Sequence, residues 1–324
     1  MRHFLFEFIT GGGLAEQELS ESLLREGELM LQSLIKELNH ADNELLVSRD
    51  SRLKYLDKTV EQLTVHTDFE EKISQSIRHV DVVWIIAPET ENCLEYYVDL
   101  FSRDDRLVIG STIEAIKICS SKYQTNKLLL ENSINVVNTK LLSEEISGSD
   151  RAWIVKPDDG VGAENAILIL CKNKLEKFKF NNFDKNFIFQ PYIDGKQMSM
   201  SLLVYDGDAR LLACNRQYVD INENKISLKK IGVNECLNYK DEMLNLAKDI
   251  VTAIPGLAGY IGVDLIENEG KLFVLEINPR FTTAYVGISD SINENVTSII
   301  LETFLNQKLP NIDLTNAKPV MVHI

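Results

Sequence analysis

Three oxygen-bearing side chains late in the chain, Asp264, Glu276 and Asn278, have the types and spacing to hold a hard cation. Strand side chains alternate, so Glu276 and Asn278 share a face, roughly 7 Å apart at about 3.3 Å per residue. Taking residues 268–270 as a three-residue turn sets Glu267 opposite Lys271 and Asp264 opposite Val274. Asp264 then joins the other two on one face, while Ile261, Val263, Leu265, Phe273, Leu275 and Ile277 fill the other. The register depends on that turn, because an even-length loop would put Asp264 on the wrong face. Two carboxylates and an amide oxygen suit Mg²⁺, which keeps waters and shares phosphate oxygens. Arg280, two residues on, would project the same way and stabilise negative charge in transit. The acidic outer face of an ordinary hairpin would carry the same residues.

A second segment, Lys156-Pro157-Asp158-Asp159-Gly160-Val161-Gly162, runs a lysine-bearing strand into a glycine-containing turn. The backbone N–H groups of such a turn can cradle phosphates while the ammonium neutralises one of them. It is not the GxxxxGK[ST] loop, which occurs nowhere in this chain, and a plain hairpin turn also accounts for it. A third segment, residues 189–197, has an apolar entry, Pro191 and the turn Asp194-Gly195, and by itself reads as a hinge. The five histidines form no metal-binding spacing, and neither do the five widely spaced cysteines, which include no CxxC pair.

The elements that must position these residues fall into three modules. Residues 1–112 alternate short apolar runs with amphipathic stretches: a strand over 4–9, a helical stripe from Leu23 to Leu38, a buried strand over 80–87 and another at 107–109. This pattern predicts a small α/β unit whose loops line a crevice. Residues 113–187 hold a helix over 122–130 capped by Ser120-Ser121, a polar loop at 143–150, and strands at 153–156 and 166–171. Residues 188–324 are rich in hairpins, with helices at 240–253 and 290–305. The last helix suits a homodimer interface, or equally a place on its own sheet.

The 324 residues include 44% hydrophobic and 26% charged, enough apolar surface for a proper core. A net charge of −15 argues against nucleic acid and anionic membrane surfaces as partners. No run approaches the roughly 18–20 apolar residues that span a bilayer. The N-terminus meets Glu7 and three glycines too early for a signal peptide, and the composition reads as cytoplasmic.

Taken in order and spacing, the three segments resemble the ATP-grasp superfamily of carboxylate–amine ligases over residues 113–310. The preceding unit resembles the α/β domain that usually stands before that fold. The resemblance implies ATP and two Mg²⁺ or Mn²⁺ ions as cofactors. It puts Lys122 and Lys156 on the α- and β-phosphates, and Asp159, Gly160 and Gly162 in the flexible phosphate loop. Gln190, Pro191 and Ile193 would hold adenine, with Gln197 on the ribose. Asp264, Glu276 and Asn278 match the metal ligands, and Arg280 the arginine near the transferred phosphate. Many such ligases carry glutamates where this chain has Gln190 and Gln197, which predicts weaker nucleotide binding without charge assistance. Pro191 lacks an N–H, so adenine recognition there would use its carbonyl and the amide of Ile193.

Gly11-Gly12-Gly13-Leu14-Ala15-Glu16 is similar to the glycine-rich start of D-alanine–D-alanine ligases, where a glutamate meets a substrate amine. A helix-capping loop with an exposed Glu16 fits the same residues. The chain more closely resembles the tyramine–L-glutamate ligase group of methanofuran-type cofactor biosynthesis. Phe6-Glu7-Phe8, Glu26-Gly27-Glu28-Leu29-Met30-Leu31, Ile86-Ala87-Pro88-Glu89, Ser121-Lys122-Tyr123, Asn215-Arg216-Gln217 and residues 276–287 carry that likeness. It implies that a glutamate carboxylate is phosphorylated by ATP and the acyl phosphate then attacked by an aromatic amine. Gly12, Gly13, Glu16, Glu89, Arg216, Thr282, Thr283 and Tyr285 are the substrate candidates. Another peptide or poly-glutamate ligase, or an ATP-binding regulatory protein without turnover, remains open.

Overall fold

The computed structural model describes residues 1–39, 42–67, 69–146, 151–160, 166–182 and 186–324. Its first sheet comprises β1 (Arg2–Glu7), β2 (Glu44–Asp50), β3 (Glu61–Val65), β4 (Val82–Ile86) and β5 (Leu107–Ile109). All pairings are parallel, in the order β3-β2-β1-β4-β5. Parallel strands need crossovers and are covered on both faces. Helix α1 (Glu21–Leu38) buries Leu31, Leu34 and Leu38 against Leu5, Val47 and Trp84. On the other face α2 (Phe69–Ser76) and α3 (Cys93–Phe101) pack Phe69, Ile73, Leu94 and Phe101 on Phe4, Phe6 and Val83. The strand order reverses between β1 and β4, so a crevice opens at their carboxyl ends. Sequence periodicity did not single out β2 and β3; β3 (EQLTV) is half polar and lies at the sheet edge.

Helices α4 (Ile113–Ser120) and α5 (Lys122–Glu131) lead into a second, ten-stranded sheet. Its smaller half holds β6 (Lys140–Leu141), β7 (Trp153–Pro157), β8 (Ile167–Ile169) and β9 (Phe187–Pro191). Residues 188–191, grouped above with the last module, thus pair with β7 and β6 in this half. Helix α6 (Lys172–Asn181) seats Leu175 among Trp153, Val155 and Phe189. The larger half holds β10 (Lys196–Tyr205), β11 (Asp208–Asn222), β12 (Lys225–Val233), β13 (Gly259–Asn268), β14 (Lys271–Asn278) and β15 (Val320–His323). The halves join where Lys225 of β12 lies opposite Ile167 of β8. Helix α7 (Lys240–Ala253) packs Met243, Ala247 and Ile250 against the larger half. After the short α8 (Ile288–Ile292), α9 (Val296–Asn306) packs on α1 and β10 of its own chain, which accounts for its apolar stripe.

The β13–β14 hairpin differs from the sequence reading in an instructive way. Its turn is the two-residue Glu269-Gly270, both left-handed at φ 51° and 80°, a conformation that favours glycine at the second position. Asn268 therefore faces Lys271 and Leu265 faces Val274. A β-bulge between Asp264 and Leu265 then moves the register by one, so that Asp264 faces Glu276 and Val263 faces Ile277. The turn length was misread, yet the bulge restores Asp264 to the face of Glu276.

Among the described residues, no helix is long and apolar enough to cross a membrane.

Candidate active site

Lys156 stands on β7, and Lys122 opens α5, whose N-cap Ser121 accepts the Gln124 N–H. The end of β7 and the start of α5 are tied together by Asp158. Its carboxylate accepts from the Tyr123 N–H at 2.8 Å and the Ser121 hydroxyl at 2.7 Å, while its carbonyl accepts from the Lys122 N–H at 3.2 Å. The Lys122 ammonium donates to the carbonyls of Asp158 and Gly160. Both ammonium groups converge on one oxygen across the sheet, Glu276 Oε2, Lys156 at 3.1 Å and Lys122 at 3.7 Å. A polyphosphate entering here would meet two buried cations already held in place.

The two carboxyls are shifted from their ordinary values in opposite directions. Burial pushes Asp264 up to about 6, the charge of Glu276 adds to this, and a hydrogen bond from Gln217 opposes it. Burial also acts to raise Glu276, but Lys122 and Lys156 together outweigh it and hold the carboxyl below its ordinary range. Lys156 is itself lowered, chiefly by burial, with Glu276 pulling the other way. Gln217 Nε2 donates to Asp264 Oδ1 at 2.8 Å, and Asn278 Nδ2 lies 3.5 Å from Asp264 Oδ2. Among the described residues no group of three His, Cys, Asp or Glu forms a metal cluster. Two carboxylates plus an amide form a lean oxygen set, one that suits an ion completing its shell with water and phosphate. Asp264, Glu276 and Asn278 therefore fit Mg²⁺ or Mn²⁺ by donor chemistry.

Arg280 closes the far side. Its Nε donates to Glu89 Oε2 at 2.8 Å, Nη2 to Asn278 Oδ1 at 3.2 Å and Nη1 to the Phe281 carbonyl at 3.2 Å. Glu89 follows β4, so this ion pair joins the crevice of the first sheet to the carboxylate strand of the second. The same loop reaches the phosphate-side turn: Thr90 Oγ1 donates to the Asp159 carbonyl at 3.1 Å, and the Glu91 N–H to Asp159 Oδ2 at 3.4 Å.

Two lysines, from β7 and the start of α5, thus face two carboxylates, an amide and an arginine from β13, β14 and the turn after it, an arrangement suited to phosphoryl transfer. A family model described as the ATP-grasp domain matches residues 119–284, and a pre ATP-grasp 3 domain matches 43–116. The chain belongs to the ATP-grasp family. It is thus an ATP-dependent enzyme of the carboxylate–amine ligase class its sequence resembles. It is 28% identical over 310 residues to the tyramine–L-glutamate ligase of Methanocaldococcus jannaschii, covering 94% of this chain and 89% of that protein. The tyramine–L-glutamate ligase of Methanocaldococcus fervens is 29% identical over 311 residues, covering 94% of each. Among solved structures, an ATP-grasp superfamily protein from Archaeoglobus fulgidus matches with a TM-score of 0.73 at 23% identity, covering 100% of this chain and 92% of that one.

Within this ATP-grasp frame the structure brings together most of the residues singled out from sequence. Gln190 is buried on β9 and donates to Thr139 Oγ1 at 2.8 Å, which leaves its carbonyl as an acceptor. Pro191 ends β9 and Ile193 follows it, both half-buried. Gln197 lies opposite Ile266, two positions from the Ser199–Asp264 pair, and so shares the carboxylate face. Gly160 meets Lys122, whereas Gly162 lies outside the described residues.

Other candidates stand apart. Arg216 is one residue from Gln217 and so points to the opposite face, with its guanidinium 5.7 Å from the Tyr218 ring. Tyr285 is buried, and its hydroxyl is shared with Glu37 and Thr297, which makes it a brace between α1 and α9. Thr283 donates to Glu26 at 2.9 Å, but Thr282, which bonds the Tyr260 hydroxyl at 3.0 Å, packs on Gly262 opposite Asn278 and so stays beside the site. Gly12 packs on Val65 and Gly13 on the Phe8 ring, so close packing rather than substrate contact explains those glycines. Glu16 is exposed. Sequence reasoning gave no role to Asp158, Gln217 or Glu26. Asp158 had a signal in its place two residues after Lys156, and Gln217 in its alternation with Asn215; Glu26 stands in a segment that carries the family likeness, but nothing local points to its partner 257 residues away.

Proposed function

We propose that this enzyme joins a carboxylate of L-glutamate to the amine of an aromatic, tyramine-like substrate, forming ADP through an acyl phosphate. The observation carrying this reading is the convergence of Lys122, Lys156 and Arg280 around Asp264, Glu276 and Asn278. In this reading residues 1–112 supply the acceptor side, 113–191, extended from 187 to include β9, the phosphate-binding lobe, and 192–324 the metal-binding lobe. Lys122 and Lys156 hold the nucleotide phosphates, and Gln190, Pro191, Ile193 and Gln197 its base and ribose. Mg²⁺ or Mn²⁺ held by Asp264, Glu276 and Asn278, two ions in all, would neutralise phosphate charge. Arg280 steadies the γ-phosphoryl as it passes to the glutamate carboxylate. Enclosure between the lobes keeps water from the acyl phosphate until the amine attacks and phosphate leaves. The names of the two Methanocaldococcus relatives support the choice of glutamate and tyramine, and a methanofuran-type cofactor pathway is the setting we infer for that product.

The test is ADP release with MgATP and L-glutamate, with and without tyramine, followed by mass analysis. Amine-dependent ADP release with the glutamyl amide as product is the expected result. Turnover with a different amine or acid keeps the ligase and discards this substrate pair. ATP binding with no turnover across a broad panel overturns the catalytic reading.

A further inference from the structure

Glu89 is a buried carboxylate at this site with one oxygen enclosed and unused. The residue is 6% exposed, and Oε2 is bound by Arg280, but Oε1 is enclosed with no partner among the described residues. A buried carboxylate oxygen left without a donor is costly, so a position of this kind calls for a donor that the described residues do not supply. The loop that carries it is held firmly. Leu94 N–H bonds the Pro88 carbonyl at 2.9 Å, Thr90 and Glu91 bond Asp159, and Glu91 and Asn92 adopt left-handed backbone at φ 55° and 59°. Such a conformation in two successive non-glycine residues persists only where the surroundings impose it. Nearby Cys93 stays a neutral thiol, pushed up to about 12 by burial and then by Glu89 and Glu91, so it brings no ion of its own.

We propose that Glu89 Oε1 receives the ammonium group of the acceptor amine, making Glu89 a substrate-binding residue that sets the amine beside Arg280. The inference rests on the ligase reading above. Two donors on the two oxygens of one carboxylate lie about 5 Å apart. The amine nitrogen is thereby placed next to the guanidinium that steadies the transferred phosphoryl group, where the acyl carbon must lie. A primary ammonium has N–H groups to donate to that oxygen, whereas a quaternary ammonium has none. Glu89 is also the end of the first sheet's crevice that meets the carboxylate strand, so one residue couples the acceptor side to the phosphoryl side.

The experiment compares wild type and Glu89→Gln with two nucleophiles, tyramine and hydroxylamine, each with MgATP and L-glutamate. Hydroxylamine is uncharged at neutral pH and traps an acyl phosphate as the hydroxamate without needing an ammonium receiver. The glutamine keeps a carbonyl for Arg280 but lacks the charge. Amide formation from tyramine should fall about tenfold or more beyond any fall in hydroxamate formation, with the loss in the KM for tyramine. Equal losses with both nucleophiles would mean that Glu89 acts through Arg280 alone and would overturn the proposal, as would unchanged tyramine kinetics. If wild type gives neither amide nor hydroxamate, the ligase reading fails instead.

Discussion

Lys156 and Glu276 are 120 residues apart in the chain and meet at 3.1 Å, both buried, with Lys122 on the same carboxylate oxygen. The pair joins the two halves of the large sheet, and it couples stability to chemistry. Burying ions is costly, and here the cost is offset by pairing two cations with one anion beside a second acidic group. Every change to one member is therefore felt by the others.

Replacing Glu276 with Gln leaves two ammonium groups crowded around a neutral amide, with Asp264 the nearby carboxylate that remains. Turnover should fall at least a hundredfold, and stability by about 3 kcal/mol or more, since removing one member of a buried pair strands the other. Steady-state kinetics and urea denaturation check both. Normal activity in this variant would remove Glu276 from the metal set.

Asp158 holds the start of α5 and hence Lys122. Asp158→Ala should cost about 1–2 kcal/mol, as losing a cap does, and raise the KM for ATP with a smaller change for the amine. A KM for ATP equal to wild type would show that Lys122 is placed without it.

Tyr285 was a substrate candidate in sequence, and its hydroxyl instead joins Glu37 and Thr297. Tyr285→Phe should destabilise by about 1–3 kcal/mol by leaving buried Glu37 short of a donor. Substrate KM values should stay within about twofold. A rise in the amine KM without loss of stability would return Tyr285 to the substrate site.

Glu7 ends β1, accepts from the N–H groups of Ile9 at 3.2 Å and Thr10 at 2.6 Å, and faces Gly27, where a Cβ would come within 2.6 Å of its carboxylate. Burial, the largest influence, pushes its carboxyl up to about 7 from the ordinary 4.5. The folded state thus keeps a proton that the unfolded chain releases above 4.5, and stability falls as pH rises through that window. The whole effect is about 3 kcal/mol, complete above pH 7. Urea midpoints at pH 5 and pH 8 measure it, and Glu7→Gln should flatten the difference. Equal pH slopes in both proteins would assign the dependence to other groups.

Much of this site was legible because its signals are local. The lysine ahead of a glycine turn, the cap before Lys122, and the alternation that puts Glu276 with Asn278 all lie within a few residues. The carboxylate face was read correctly from a wrong turn. Nothing local to Asp264 announces the bulge, which is set by how β13 packs on β10 and β14 together.

By itself, then, the amino-acid sequence determined the chemical types present, their order, and the strands and helices that carry them, because periodicity and capping act over one or two turns of chain. Tertiary structure decided which of them meet. It set Gln217 rather than Arg216 on the Asp264 face, because one position along a strand reverses a side chain. It paired Glu89 with Arg280 across 191 residues and turned Tyr285 inward to Glu37 across 248. Such contacts depend on how two sheets dock, and docking is fixed by the burial of many apolar side chains at once rather than by any short run of residues.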